Sequence, residues 1–315
     1  MAYFISAYAT SPSISSWNPV LESQYFQALA ENPNVIGIEH PYFLDSNKYP
    51  LPWLQENIPD HWSIVITALP FFMDELKKNP YLGLASENEE ARKQAVYLMK
   101  KMSQYTETLN NFFGRQVVKA IHFHSLPRND REAKRGSKIA LERSLDEIKR
   151  INWQGVELNL EHCDAYISNQ PPEKGFLLLE EEIHALSTVG DYGLVLNWAR
   201  STIEGRSTSE PLKHIKMAKK AGLLKGFFFS GCTDQITSSY GEWKDTHMPP
   251  KNFTAGNYLE NDSLLGKPEI VESLNNLEKD VYLGIKVYNP DPAKPLEKAI
   301  GLNIETIKAI SEAVQ

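Results

Sequence analysis

Short runs of β-branched and aromatic residues alternate with longer amphipathic stretches along the whole chain. This alternation is typical of βα units arranged around a parallel sheet. Strand-like runs occupy residues 3–9, 35–43, 62–70, 118–126, 155–163, 192–200, 224–232 and 281–289. Apolar residues recur at three- and four-residue spacing near 88–112, 137–150, 178–188, 208–221, 266–279 and 298–314, which predicts helices there.

Eight such runs predict an α/β fold, a single (β/α)8 TIM barrel over residues 1–315. A doubly wound open sheet has the same alternation, but the Gly-rich phosphate turn that often marks it is missing. No Pro/Gly-rich linker or low-complexity tract divides the chain. Segment 233–265 is long and rich in Gly, aromatic and polar residues, and we expect it to form a lid over the catalytic face; a surface loop is the alternative.

Composition narrows the class of protein. Hydrophobic residues make up 42% and charged residues 23% of the chain, the usual balance of a globular protein. A formal charge of −7 opposes an extended contact with nucleic-acid phosphates. The sequence has neither a signal peptide nor a membrane-spanning apolar run, and Cys163 and Cys232 are expected to be free thiols, so a cytoplasmic location is predicted.

Side-chain alternation along each strand predicts which residues face the barrel interior. In the fifth run every second residue is apolar and is expected to face the helices. The residues between them, Asn159 and Glu161, are then expected to face inward. In the eighth run the same rule turns Lys286 and Tyr288 inward. The other inward polar residues are Glu39, Thr67, His122, His124, Asn197 and Ser230. Because an unpartnered buried polar group costs about 1–3 kcal/mol, we expect a polar pocket at the C-terminal strand ends; a hydrogen-bonded interior without catalysis is the alternative.

The catalytic candidates are Glu161, His124, His122 and Lys286. Glu161 can act as acid, base or ligand at a strand end. The two histidines are two residues apart, so both can hold a metal or a substrate hydroxyl, or be hydrogen-bonded core residues. Lys286 can bind an anion, transfer a proton, form a Schiff base, or pair with Glu161 or Glu39.

The substrate-binding candidates are chosen by their position at the same end of the barrel. Arg200 follows the sixth run and suits bidentate binding of phosphate or carboxylate. The full set of these candidates is Glu39, Asn159, Asn197, Arg200, Tyr288 and Trp243.

Two segments resemble the xylose isomerase-like TIM barrels, a superfamily of sugar isomerases, epimerases and the endonuclease IV group. Residues 121–125, IHFHS, look like the fourth-strand segment that carries a pocket histidine, and His124 takes that place. Residues 158–164, LNLEHCD, look like the fifth-strand segment whose glutamate is a metal ligand, and Glu161 matches it. The resemblance implies the same fold over nearly the whole chain.

Other positions depart from the superfamily pattern. An aspartate and a histidine of the sixth strand correspond here to Asn197 and Arg200, a seventh-strand histidine to the 229–230 region, and an eighth-strand glutamate to Lys286. These replacements suit a divalent cation poorly and indicate a separate bacterial subfamily with a degenerate metal site. We expect Lys286 and Arg200 to supply the positive charge instead. A bound divalent ion (Mn, Mg or Zn) would be expected on Glu161, His122 and His124.

The function implied is that of an isomerase or epimerase acting by proton transfer on a sugar or related polyhydroxy carbonyl compound. The expected partner is a small carbohydrate, with no nucleic acid or membrane, and related barrels suggest a homo-oligomer. Two alternatives stay open: a lyase or aldolase that uses Lys286 in a Schiff base, and a non-catalytic sugar-binding protein.

Overall fold

The computed structural model describes residues 1–14, 16–44, 48–290 and 295–314. These residues form a closed barrel of eight parallel strands in sequence order, with β8 paired to β1. The strands are β1 (Tyr3–Ile5), β2 (Val35–Pro41), β3 (Ser63–Thr67), β4 (Val118–Phe123), β5 (Glu157–Glu161), β6 (Gly193–Asn197), β7 (Leu224–Phe229) and β8 (Tyr282–Ile285). The predicted (β/α)8 barrel is confirmed, and the open-sheet alternative is wrong.

Helices fill the connections between the strands. They are α1 (Pro19–Ala30), α2 (Leu51–Asn57), α3 (Leu69–Lys78), α4 (Glu89–Phe113), α5 (Lys138–Lys149), α6 (Leu179–Val189), α7 (Trp198–Gly205), α8 (Glu210–Lys220), α9 (Lys267–Asn276) and α10 (Pro295–Ala313). Their starts follow local chemistry: Asn88 caps α4 by accepting from the Ala91 amide at 2.9 Å. Among the described helices, none has the length and apolar character needed to cross a bilayer.

The sixth strand is shorter than the predicted run 192–200. It ends at Asn197 because α7 begins at the next residue, and the Asn197 Oδ1 accepts from the Arg200 amide at 3.3 Å as an N-cap. Arg200 therefore lies in the first turn of a helix, and its side chain is fully buried.

The barrel interior has an apolar layer below a polar one. The lower layer contains Phe4, Val65, Ala120, Val195 and Phe228. Gly284 leaves room for this layer, since a Cβ there would lie 2.2 Å from the Phe228 ring. The polar residues predicted to face inward lie within two residues of the C-terminal strand ends or just after them, above this layer. The inward-facing positions are therefore polar at the C-terminal end of the barrel and apolar below it.

Segment 233–265 lies against the ends of β7 and β8. It forms isolated bridges, including Gly231 with Met248 and Thr233 with Glu242, and contains neither a helix nor a longer strand in its fully described length. The Tyr288 amide donates to the His247 carbonyl at 2.8 Å. These backbone bonds fix the segment at the mouth of the barrel.

Candidate active site

A buried ion pair joins β2 to the end of β8. The Lys286 Nζ lies 3.0 Å from the Glu39 Oε2, and the Ser6 hydroxyl donates to the same oxygen at 2.5 Å. Burial alone would raise the pKa of Glu39, but the Lys286 ammonium and the nearby His122 outweigh it and lower that pKa to about 2. Burial alone would lower the pKa of Lys286, but the Glu39 carboxylate outweighs this effect, and the pKa lies above its usual value. Both groups are therefore charged at neutral pH.

A second buried group surrounds Glu161 at the end of β5. The His124 Nε2 lies 2.9 Å from the Glu161 Oε2, and the Arg200 Nη1 lies 2.6 Å from the Oε1. Burial opposes ionisation of Glu161, but Arg200 and further cations lower its pKa well below the usual range. Burial lowers the pKa of His124 to about 4 despite Glu161. The ionised carboxylate can only accept, so the neutral imidazole carries its proton on Nε2 and its Nδ1 is an acceptor.

His122, in β4, and His124, directly after it, lie at different depths. The His122 Nε2 is 2.8 Å from the Tyr282 hydroxyl, which also accepts from the Asn159 Nδ2 at 2.9 Å. The His122 Nδ1 lies 3.5 Å from the Glu39 Oε1. His122 thus belongs to the Glu39 side of the interior, while His124 belongs to the Glu161 side.

Segment 233–265 contributes a carboxylate that sequence reasoning missed. The Asp245 Oδ2 lies 3.1 Å from the Arg200 Nε and 3.1 Å from the Lys174 Nζ. The His247 Nδ1 lies 3.2 Å from the Asp245 Oδ1 and 3.3 Å from the Ser230 hydroxyl. Burial opposes the charge of Asp245, but Arg200 and Lys174 lower its pKa well below the usual value.

The three remaining candidates occupy different places. Asn197 uses its Oδ1 as a helix cap, and its buried Nδ2 has no hydrogen-bond partner among the described residues. Tyr288 is half-buried at the rim. Trp243 packs under the Arg206 guanidinium, 5.0 Å from the ring centroid, and is not brought to the buried carboxylates. The structure gives Trp243 a part in anchoring segment 233–265.

A cleft of about 540 Å³ lies between the connections that follow β1 and β8. Its walls come from residues 9–14, 16–18 and 21 after β1 and from residues 288–290 and 295 after β8. Ser6 and Lys286 lie on these same two connections, a few residues before the cleft. The cleft, lined by both apolar and polar residues, has room for a small molecule at the predicted end of the barrel.

The residues were tested for their fit to a divalent metal ion. Glu39, His122 and Glu161 each offer a donor atom, and these atoms lie within 4.8 Å of one another. His124, a member of the expected ligand set, is outside this group. Lys286 and Arg200 already pair with the two carboxylates, so an ion there would face two fixed cations. As arranged, the site provides donor geometry for a divalent ion, but its charges do not fit one.

In its fold the barrel is similar to solved structures of the xylose isomerase-like TIM barrels. The structure titled IolI protein with a binding zinc atom aligns with a TM-score of 0.60 at 16% identity, covering 99% of this chain and 98% of that one. The structure of an L-ribulose 3-epimerase aligns with a TM-score of 0.57 at 14% identity, covering 100% and 96%. At these identities the likeness establishes the fold.

Residues 4–302 match the family described as Domain of unknown function (DUF4862), and the chain belongs to that family. A relative from Salmonella typhimurium (strain LT2), described as Uncharacterized protein STM3670, is 32% identical over 321 residues. The match covers 99% of this chain and 98% of the relative.

Replacing Asp245 by asparagine is expected to loosen segment 233–265. The variant loses the charge that pairs with Arg200 and Lys174. Hydrogen bonds to charged groups contribute about 1.5–3 kcal/mol, so amide exchange in the segment should rise at least about tenfold. Hydrogen–deuterium exchange by mass spectrometry measures this. Asp234→Asn, an exposed change in the same segment, is the control; equal exchange in wild type and Asp245→Asn would contradict the anchoring role.

Proposed function

We propose that the protein is an isomerase or epimerase that moves a proton on the carbon beside a carbonyl group of a sugar or related polyhydroxy compound. The observation that carries this proposal is a set of buried polar atoms near the C-terminal ends of the strands, without hydrogen-bond partners in the described part of the chain. The set comprises Thr67 Oγ1, His122 Nδ1, His124 Nδ1, Asn197 Nδ2 and Arg200 Nη2. A ligand with several hydroxyl groups would satisfy both the donors and the acceptors.

The proton transfer is assigned to Glu161. It is ionised and cannot act as an acid first, so it removes the proton from carbon and returns it later. A substrate oxygen that takes over the Arg200 contact weakens the pairing that lowers the pKa of Glu161, and the carboxylate becomes a stronger base. His124 holds the other carboxylate oxygen and fixes its direction.

Positive charge at the substrate oxygen is assigned to Lys286 and Arg200. Removing a proton beside a carbonyl places negative charge on the oxygen, and fixed cations in a dry site stabilise that charge. One donor oxygen of Glu39 and one of Glu161 lie within 4.8 Å of one another, so the cations paired with these carboxylates lie near the same small space. In this arrangement the chain's own side chains supply the charge stabilisation, and no step requires a metal ion.

The alternative functions gain less support. A Schiff base needs an uncharged amine, whereas Glu39 keeps Lys286 charged. Glycoside hydrolysis needs one protonated carboxyl group, and the pKa values of Glu39 and Glu161 are both lowered. The remaining alternative, a sugar-binding protein without catalysis, is distinguished from an isomerase by the exchange experiment below.

The test is exchange of a carbon-bound proton with solvent. The protein is incubated in D2O with a panel of free and phosphorylated aldoses and ketoses, and the products are followed by NMR and mass spectrometry. We expect one deuterium beside the carbonyl carbon of a single substrate class, at a rate that added Mn²⁺ changes by less than about twofold because Lys286 already pairs with Glu39. Binding without exchange across the panel would instead identify a sugar-binding protein.

A further inference from the structure

A second cluster of histidine and glutamate side chains lies outside the barrel wall. His162 directly follows Glu161, so its side chain points to the opposite face, toward the helices. It meets Glu204 of α7 and His214 of α8 there. All three side chains are buried, with exposed fractions of 0%, 8% and 3%.

The donor atoms of this cluster are spaced as metal ligands are. The His162 Nε2 lies 3.0 Å from the Glu204 Oε2, and the His214 Nε2 lies 3.5 Å from the Glu204 Oε1. One donor atom from each residue lies within 4.8 Å of the other two. Tetrahedral zinc with bonds of about 2.0–2.1 Å separates neighbouring ligand atoms by about 3.3 Å. The two measured distances bracket that value.

The outer nitrogen of each histidine has its own partner. The His162 Nδ1 lies 2.6 Å from the Glu182 Oε2, and the His214 Nδ1 lies 2.9 Å from the Ser201 hydroxyl. The other Glu182 oxygen accepts from the Ser125 hydroxyl. Metal-binding histidines are oriented by such contacts, which direct the remaining nitrogen to the ion. Here both Nε2 atoms are directed at Glu204.

The charge of the cluster differs from that of the barrel interior. Among the described residues, neither Glu182 nor Glu204 forms an ion pair with a lysine or arginine; their pairs are with His162 and His214. Burial lowers the pKa of His162, but the Glu182 and Glu204 carboxylates outweigh it and raise that pKa to about 10. A bound divalent ion would therefore take the place of the His162 proton. Glu210, 19% exposed, lies 3.7 Å from the His214 Nε2 and opens the cluster toward solvent.

We propose that His162, Glu204 and His214 bind one divalent transition-metal ion of the zinc class, with Glu210 at the fourth position. The ion would join the end of β5 to α7 and α8. His162 adjoins Glu161 in the chain, and Glu204 lies one helical turn after Arg200 in α7. The site therefore fixes, from outside, the two backbone segments whose inner side chains form the Glu161–Arg200 pair.

The test is titration of the chelator-treated full-length protein with Co²⁺, followed by visible absorption and competition with Zn²⁺. We expect one Co²⁺ per chain with a strong tetrahedral spectrum that Zn²⁺ removes. His214→Gln should weaken binding at least about 100-fold, while Glu182→Gln, which leaves every ligand in place, should weaken it about 10–100-fold. His122→Gln, which alters the interior triad, should leave the spectrum unchanged.

Two results would overturn the proposal. The first is a wild-type protein that binds no Co²⁺ or gives a weak octahedral spectrum. The second is a spectrum that survives His214→Gln and Glu182→Gln but disappears in His122→Gln, which would assign the ion to the barrel interior. Circular dichroism of each variant establishes that it is folded, and if His214→Gln does not fold, the Glu182→Gln and His122→Gln pair still separates the two sites.

Discussion

Replacing Lys286 by methionine is expected to lower the free energy of unfolding by about 3–5 kcal/mol, the effect of removing one partner of a buried ion pair. Glu39 would keep contacts with Ser6 and His122 but would have lost its paired cation in the buried interior. Urea unfolding at pH 7 measures the change. The double variant Glu39→Gln/Lys286→Met should recover most of the loss, because it removes both charges. Lys225→Met, at an exposed lysine of β7, is the control.

The pH dependence of this effect has a definite sign. In the wild type the Glu39 pKa falls from 4.5 to about 2, so its contribution to stability is complete above pH 4.5 and is lost as the pH falls toward 2. Without Lys286, burial dominates and raises that pKa, so the variant gains stability as the pH falls. The difference between the two proteins should therefore narrow on acidification. A difference that stays constant from pH 7 to pH 4 would contradict the pairing.

Replacing Glu161 by glutamine is expected to lower the rate of substrate proton exchange about 10²–10⁴-fold, the usual contribution of a positioned proton-transfer group. The amide has nearly the same size, and its oxygen can still accept from His124, but it cannot take a proton. The rate is measured with the substrate that the exchange panel identifies. Glu157→Gln is the matched control, because Glu157 is an exposed glutamate at the start of the same strand.

The comparison of these two variants decides the role of Glu161. An exchange rate within about twofold of wild type in Glu161→Gln would rule it out as the base. Equal losses in Glu161→Gln and Glu157→Gln would indicate a general effect on β5. A loss confined to Glu161→Gln, in a variant that circular dichroism shows to be folded at the assay temperature, would support proton transfer.

Strand parity predicted much of the interior. Because polar and apolar residues alternate cleanly in β5 and β8, the inward directions of Glu161 and Lys286 follow from the sequence. The alternation of side chains does not show which carboxylate pairs with Lys286, and the sequence allowed either Glu161 or Glu39. Lys286 and Glu39 are 247 residues apart in the chain, and they meet because the barrel closes between β8 and β1.

Residues outside regular strands escaped prediction for a physical reason. Segment 233–265 has no periodicity, so nothing in it singles out Asp245 as the carboxylate that enters the barrel. Arg200 was expected at a strand end, but the side chain of Asn197 starts a helix directly. Nothing in the sequence singles out His162, because its partners Glu204 and His214 come from two later helices and share no motif with it.

Asp245 has a consequence for any charged ligand. It is the counter-ion of both Arg200 and Lys174, yet it belongs to a segment without helix or strand. If the segment moved and withdrew Asp245, Arg200 and Lys174 would both lose this counter-ion in an environment of low polarity. An incoming carboxylate or phosphate would restore the balance. Protein and ligand would then exchange one anion for another, and the ligand's affinity would be reduced by the free energy with which Asp245 holds the same place.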